Sequence, residues 1–170
     1  AFLGSTIGNL EAEQATSFLA SIRREMTRAD AFLIGFDLVK DPAVLEAAYN
    51  DSAGVTAEFN LNLLRVLNRD LGAEFNVDAF RHRATWNPAD SRIEMYLEST
   101  REQTVPIRSI GLDVSLAAGE RIRTELSHKY TRDAAGMLLG ASGLEVQTWC
   151  TDGAGRFALA LARSVSRAAQ

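Results

Sequence analysis

The sequence predicts an α/β fold: a sheet with helices against it, interrupted by a separate α+β block. Three observations carry that prediction. The apolar run AFLIGFDL at residues 31–38 follows a segment with helical spacing, and short runs of period two fill the middle of the chain. After residue 130 the chain returns to helix and then strands, the style in which it began.

Each element has its own signal. Residues 1–7 read as a strand tail that runs into the turn Ser5-Thr6-Ile7-Gly8-Asn9. From Glu11 to Thr27, the positions Ala15, Phe18, Leu19, Ile22 and Met26 form one face of an amphipathic helix. Residues 31–38 lack alternation, which suits a strand buried on both faces, as in a parallel sheet. Strand, helix, strand is the βαβ unit. Pro42 fits the first turn of a helix that reaches Tyr49. A second helix runs from Val55 to Leu71, with Phe59, Leu63, Val66 and Leu67 on one face and Gly72 as its stop.

Beyond Asn76 the period drops to two. Phe80–Trp86 and Arg92–Leu97 read as strands joined by the turn at residues 87–90. Ile110–Leu116 and Arg121–Tyr130 read as a second pair around Ala117-Ala118-Gly119. Thr131 opens a helix through Leu139 that Gly143 ends. Glu145–Thr151 and Arg156–Ala162 then form a hairpin turning at Asp152-Gly153. The chain thus divides into an α/β part at 1–38, an α+β insert at 39–129, and the remainder of the α/β part at 130–170.

A chain of 170 residues suffices for one good core and a small satellite. With 46% apolar and 24% charged residues it has an ordinary globular profile. A net charge of −4 and a pI near 5.2 argue against a nucleic-acid surface. No apolar run approaches a membrane span and no signal peptide is evident, so no membrane partner and a cytoplasmic location are expected. Cys150, the single cysteine, excludes an internal disulfide and reads as a small buried hydrophobe. Asp37, Asp41 and Asp51 have no His or Cys at ligand spacing, so no metal site is expected.

Several residues have the chemistry of a site. The Gly4–Asn9 turn follows a strand and precedes a helix, where an open α/β sheet binds its ligands. It is not a dinucleotide fingerprint, because G-x-G-x-x-G is absent. Asn9 has the donors and acceptor to hold an amino group and a carboxylate together, although read alone it is better explained as a helix N-cap. Read alone, Tyr49 is a surface ring packed on the next helix, and Phe59 and Met95 are core. Glu125 and Ser127 lie two apart on a strand and so share a face. Side by side, a carboxylate and a hydroxyl make a clamp for a ring with two nitrogens, such as imidazole. The plainer reading is a solvated face on which Glu125 pairs with Arg123 or Lys129. Ser127 and His128 point to opposite faces, which argues against a nucleophile–base pair there.

The strings FLGSTIGN at 2–9, FLIGFDLVKD at 32–41, AYNDSAGVTAEFNLN at 48–62 and TELSHKY at 124–130, in this order, resemble the C-terminal half of the histidine Nα-methyltransferases. Those enzymes use S-adenosylmethionine to trimethylate L-histidine to hercynine in ergothioneine biosynthesis. The resemblance implies the C-terminal part of a class I, Rossmann-like methyltransferase sheet with an inserted α+β substrate-binding domain. It implies that Asn9 and Tyr49 hold the amino-acid backbone and that Glu125 and Ser127 select the imidazole. By the same resemblance Phe59 and Met95 are apolar walls, Gly4 lies near the amine, and Asn9 orients that amine without a dedicated base.

The family's main cofactor motif lies upstream and has no counterpart here. The chain, starting at Ala1 inside a strand, is therefore expected to need the enzyme's N-terminal half as partner. It is expected to be inactive alone and monomeric when complete. Two other readings are a related tryptophan-type methyltransferase and a non-catalytic amino-acid-binding module.

Overall fold

The structure, a computed structural model, describes residues 1–165. In chain order its elements are α1 (Ala12–Glu25), β1 (Phe32–Asp37), α2 (Pro42–Tyr49), α3 (Val55–Leu71), β2 (Phe80–Asn87), β3 (Arg92–Ser99), β4 (Gln103–Ile107), β5 (Leu112–Leu116), β6 (Arg121–His128), α4 (Arg132–Ala141), β7 (Leu144–Thr151) and β8 (Phe157–Ser164). They divide into two units. The first takes Ala1–Lys40, Asn87–Arg92 and the chain from Leu126 onward; the second takes Asp41–Trp86 and Ile93–Glu125.

In the first unit the strand–helix–strand start is present in reduced form. Phe2 makes a single parallel bridge to Ile34. Its N–H donates to the Leu33 carbonyl at 2.8 Å, and its own carbonyl accepts from Gly35 at 3.0 Å. Thr6–Asn9 then forms one 3-10 turn, and α1 follows with Glu11 as N-cap in a capping box with Gln14. Asn9 is therefore not the cap that its residue type favours. Ala15 and Leu19 are buried and Phe18, Ile22 and Met26 pack beside them, the face that the spacing predicts.

β1 buries Ile34 and Phe36 completely. Its main neighbour is antiparallel: the sheet order is β1-β8-β7, and both pairings run antiparallel. The expectation of a parallel neighbourhood holds only at single bridges, Phe2 to Ile34 and Leu38 to Tyr130. An unbroken apolar run reports burial on both faces, and burial does not depend on the direction of the neighbouring strand. Phe36 sits at the centre, with the Tyr130 ring edge-on at 5.0 Å and the Trp149 ring stacked at 5.9 Å. Burial pushes the Tyr130 phenol up to about 12. The β7–β8 connection is longer than a two-residue turn. Asp152 accepts from the N–H groups of Ala154, Arg156 and Phe157, and the positive φ falls at Gly155 instead of Gly153. Cys150 is exposed, contrary to its expected burial, because β7 is the outer strand in that order.

In the second unit both helices begin on aspartates. The Asp41 carboxylate accepts from Ala43 N–H at 2.8 Å and Pro42 occupies the first turn of α2. The Asp51 carboxylate accepts from Thr56 N–H at 2.8 Å and Val55 N–H at 2.9 Å. The Thr56 bonds, with the Val55 bond behind them, hold its carboxyl down at about 2. α3 ends at Gly72 in the left-handed region, as predicted.

The buried face of α3 is not the predicted one. Asn60 and Leu64 point inward, whereas Phe59 is 67% and Leu63 40% exposed. The strand pairing also differs: β5 pairs antiparallel with β4, and β6 neighbours β3 in the order β2-β3-β6. β4 escapes the sequence reading because Pro106 interrupts it. Proline cannot donate to a ladder, and a two-stranded ribbon tolerates one where a central strand does not. The main core here gathers Leu64, Phe75, Phe80, Leu97, Val105 and Ile107. A smaller cluster of Leu45, Ala84, Ile93 and Met95 carries Tyr49 and Trp86 on its margin.

Candidate functional site

In the first unit the candidate residues hang on a buried polar framework. Ser5 adopts a left-handed conformation at φ 57°, uncommon for a residue with a Cβ. Its Oγ accepts from Asp37 N–H at 2.7 Å, which holds it there. Gly4 beside it also has positive φ and is exposed. The Asp37 carboxylate at the end of β1 receives Lys129 Nζ at 2.8 Å on one oxygen and Lys40 on the other. Lys129 Nζ also donates to Ser127 Oγ at 2.8 Å. Lys129 is 3% exposed and Ser127 5%.

Gly8 closes the arrangement. A Cβ on Gly8 would lie 2.8 Å from the His128 carbonyl oxygen, so only glycine lets the turn meet the end of β6. The residue after Gly8 is Asn9, exposed, and the residue before His128 is Ser127. Sequence reasoning gave Ser5 no role of its own, offered Lys129 only as a partner for Glu125, and considered Asp37 only in setting aside a metal site. The available signal was an aspartate inside an otherwise apolar strand.

In the second unit Phe59, Asn60, Asn62, Leu63, Val66, Thr124 and Glu125 line a pocket of about 270 Å³. The exposed stripe of α3 thus faces this pocket, which explains why it does not face the core. Behind it, Asn60 Nδ2 bonds His82 Nδ1 at 2.9 Å and donates to the Tyr96 carbonyl at 3.1 Å. His82 Nε2 lies 2.8 Å from the Tyr49 carbonyl. A carbonyl only accepts, which assigns the His82 proton to Nε2 and lets Nδ1 accept from Asn60. Asn50 bonds the Glu46 carbonyl and both backbone groups of Ala84. Tyr49 is thereby fixed on both sides, half-buried against the cluster that holds Met95. Met95 is 3% exposed, and its carbonyl accepts from Thr124 Oγ1 at 3.1 Å. His82, Asn60 and Asn50 were not singled out in the sequence.

The structure therefore brings Phe59 together with Glu125 in one pocket and Tyr49 with Met95 in one cluster. Glu125 and Ser127 stand two residues apart on β6. Lys129, one suggested partner for Glu125, pairs with Asp37 at 2.8 Å.

His128 supplies a pH-dependent stability. Its Nδ1 lies 3.2 Å from the Asp90 carbonyl, while Nε2 is buried without a hydrogen-bond partner among the described residues. Burial holds its pKa below the ordinary 6.5, so the folded state binds fewer protons than the unfolded state just below that value. Stability is then fully present above the unfolded pKa and falls as the pH drops through it. The unfolding midpoint should fall between about pH 7 and pH 6. His128→Gln should flatten that slope, and parallel profiles for the two proteins would contradict the assignment.

Each unit thus has its own candidate residues, and the comparisons give the class of this α/β protein. Residues 1–164 match the family of histidine-specific, SAM-dependent methyltransferases, and the chain belongs to that family. It is 49% identical over 161 residues to the histidine N-alpha-methyltransferase of Mycobacterium tuberculosis, a match covering 95% of this chain and 50% of that protein. It is 31% identical over 151 residues to ergothioneine biosynthesis protein 1 of Neurospora crassa, covering 86% of this chain and 17% of the relative. L-tryptophan methyltransferase trpM of Psilocybe serbica is 29% identical over 147 residues, with 84% and 40% covered. The chain spans about half the length of the mycobacterial relative. Among the described residues, no helix is long and apolar enough to cross a membrane.

Proposed function

We propose that residues 1–170 form the substrate-binding half of an S-adenosylmethionine-dependent histidine Nα-methyltransferase, which makes hercynine from L-histidine in ergothioneine biosynthesis. The observation that carries this reading is the pocket shared by Glu125 and the exposed stripe of α3. A flat heteroaromatic ring needs an apolar wall and a few placed polar groups. Phe59 gives the wall and Met95 backs it. Glu125 accepts from one ring N–H, and Ser127 meets the other nitrogen. Tyr49 and Asn9 hold the carboxylate and amine, and the exposed backbone at Gly4 leaves room beside the amine. In this assignment residues 39–129 act as the substrate-binding insert.

S-adenosylmethionine supplies the methyl group. This chain's residues orient the neutral amine and keep water from it. In the first two transfers the Asn9 side-chain carbonyl accepts one amine hydrogen, which leaves the lone pair directed at the methyl, and the displaced proton passes to solvent. The dimethylated amine of the third transfer has no hydrogen to give or lose. No residue of this chain is assigned to the cofactor, whose main motif lies upstream in the family that the chain resembles. Activity then requires the N-terminal half that the relatives carry, in one monomeric, cytoplasmic chain.

The test is mass spectrometry of products from a polypeptide joining residues 1–170 to that N-terminal half, given S-adenosylmethionine and a mixture of free amino acids. Mono-, di- and trimethylated histidine are expected, and residues 1–170 alone should yield none. Methylated tryptophan in place of histidine would favour the second reading, which the likeness to trpM supports. A folded polypeptide that methylates nothing would overturn both.

A further inference from the structure

We propose that Asn60 is a ligand-binding residue of the second unit's pocket, and that its Oδ1 and Glu125 together take the histidine ring as an imidazolium. The proposal deepens the histidine reading and rests on it. One atom of the Asn60 amide bonds both His82 Nδ1 at 2.9 Å and the Tyr96 carbonyl at 3.1 Å. A carbonyl only accepts, so that atom is the nitrogen, and both of its hydrogens are spent. His82 agrees with this orientation, because its proton lies on Nε2 toward the Tyr49 carbonyl at 2.8 Å. Turning the amide over would set an oxygen against the Tyr96 carbonyl and the bare His82 nitrogen.

The Asn60 oxygen is what remains. Oδ1 has no hydrogen-bond partner among the described residues. Among those residues the fully buried side-chain atom left without a partner is His128 Nε2, so Asn60 Oδ1 keeps an opening. Asn60 is 3% exposed and lines the pocket, which is where that opening leads. Glu125 lines the same pocket, and a carboxylate with two oxygens can keep a protein partner and still accept from a ligand. Thr124 spends its hydroxyl proton on the Met95 carbonyl at 3.1 Å. Among the described lining residues the exposed Asn62 amide is the one side-chain donor left. Two acceptors in one pocket call for two N–H groups, since an acceptor shut away from water without a donor is costly. An imidazolium brings two, neutral imidazole and indole one each, and a thienyl ring none. The positive ring also suits the Glu125 charge.

The experiment is nitrogen NMR of ring-labelled histidine bound to the polypeptide joining residues 1–170 to the relatives' N-terminal half. It is run at about pH 7.5, where an ordinary imidazole is neutral. Two protonated ring nitrogens are expected, and one bare nitrogen would overturn the proposal. Asn60→Ala should raise the KM for histidine about tenfold, with S-adenosylmethionine affinity within about twofold. The same change should cost the triazole analogue of histidine less than about threefold, because that uncharged ring has one N–H and gives it to Glu125. Equal losses for the two ligands would make Asn60 merely structural and overturn the proposal, as would an unchanged KM. Should Asn60→Ala fail to fold, His82→Leu takes its place, since His82 acts on the pocket through Asn60 alone. It should raise the histidine KM about threefold, and His82→Gln should restore it, because glutamine can accept from Asn60 and donate to the Tyr49 carbonyl. No rise, or no restoration, would overturn the proposal. If the unaltered protein does not bind histidine at all, the substrate reading fails first, and this inference falls with it. Histidine bound with one bare nitrogen removes this inference alone.

Discussion

Gly8→Ala should lower folding stability by about 1–3 kcal/mol, the usual cost of forcing a group into a filled space. The new methyl would sit 2.8 Å from the His128 carbonyl oxygen and 3.3 Å from its nitrogen. Both obstacles are backbone, so no rotamer change relieves them. Either the Thr6–Asn9 turn or the end of β6 must move. Movement at His128 carries Ser127 with it, and movement of the turn carries Asn9, so histidine affinity should fall together with stability. Two other glycines calibrate the effect. At Gly35 a Cβ would meet the tip of the Phe157 ring at 2.7 Å, an obstacle that can swing aside. At Gly4 the nearest atom is 3.9 Å away, and only the positive φ resists substitution. Gly8→Ala should therefore be the most damaging of the three in urea unfolding of the joined polypeptide. A Gly4→Ala protein less stable than Gly8→Ala would refute the packing argument.

Local signals made much of the fold legible. The ends of α3, the caps at Asp41 and Thr131 and the inward face of α1 follow from side-chain chemistry within a few residues. What escaped depended on distant partners. Nothing local tells β5 to pair with β4 instead of β6, and Pro106 hides the strand that it pairs with. The inward face of α3 was misread for a related reason. Its most apolar stripe lines a pocket, and a buried asparagine takes the core position because His82 and the Tyr96 carbonyl satisfy it. The candidate site was half legible. The residues assigned to the ligand stood out through strings resembling a known family, whereas Ser5, Lys129 and His82 bond groups distant in sequence and leave no local pattern.

Glu125→Gln should raise the KM for histidine by about tenfold to a hundredfold, because it exchanges a charged acceptor for a neutral one of the same shape. A hydrogen bond to a charged group contributes about 1.5–3 kcal/mol, and each 1.4 kcal/mol is a factor of ten in affinity. Glutamine keeps a carbonyl that can accept from the ring N–H, so Glu125→Ala should lose more than Glu125→Gln. S-adenosylmethionine affinity should stay within about twofold in both variants, since uniform binding of histidine is what each removes. Selectivity gives the sharper test. The unaltered pocket offers its carboxylate to a ring N–H, and a site built to bond such a group discriminates against the analogue that lacks it. Loss of that charge should therefore narrow the gap between histidine and an analogue whose five-membered ring lacks nitrogen, such as thienylalanine. Titration calorimetry with both ligands reads this directly. Equal weakening of histidine, thienylalanine and S-adenosylmethionine would show damage to the fold, and the assignment of Glu125 to the imidazole would fall.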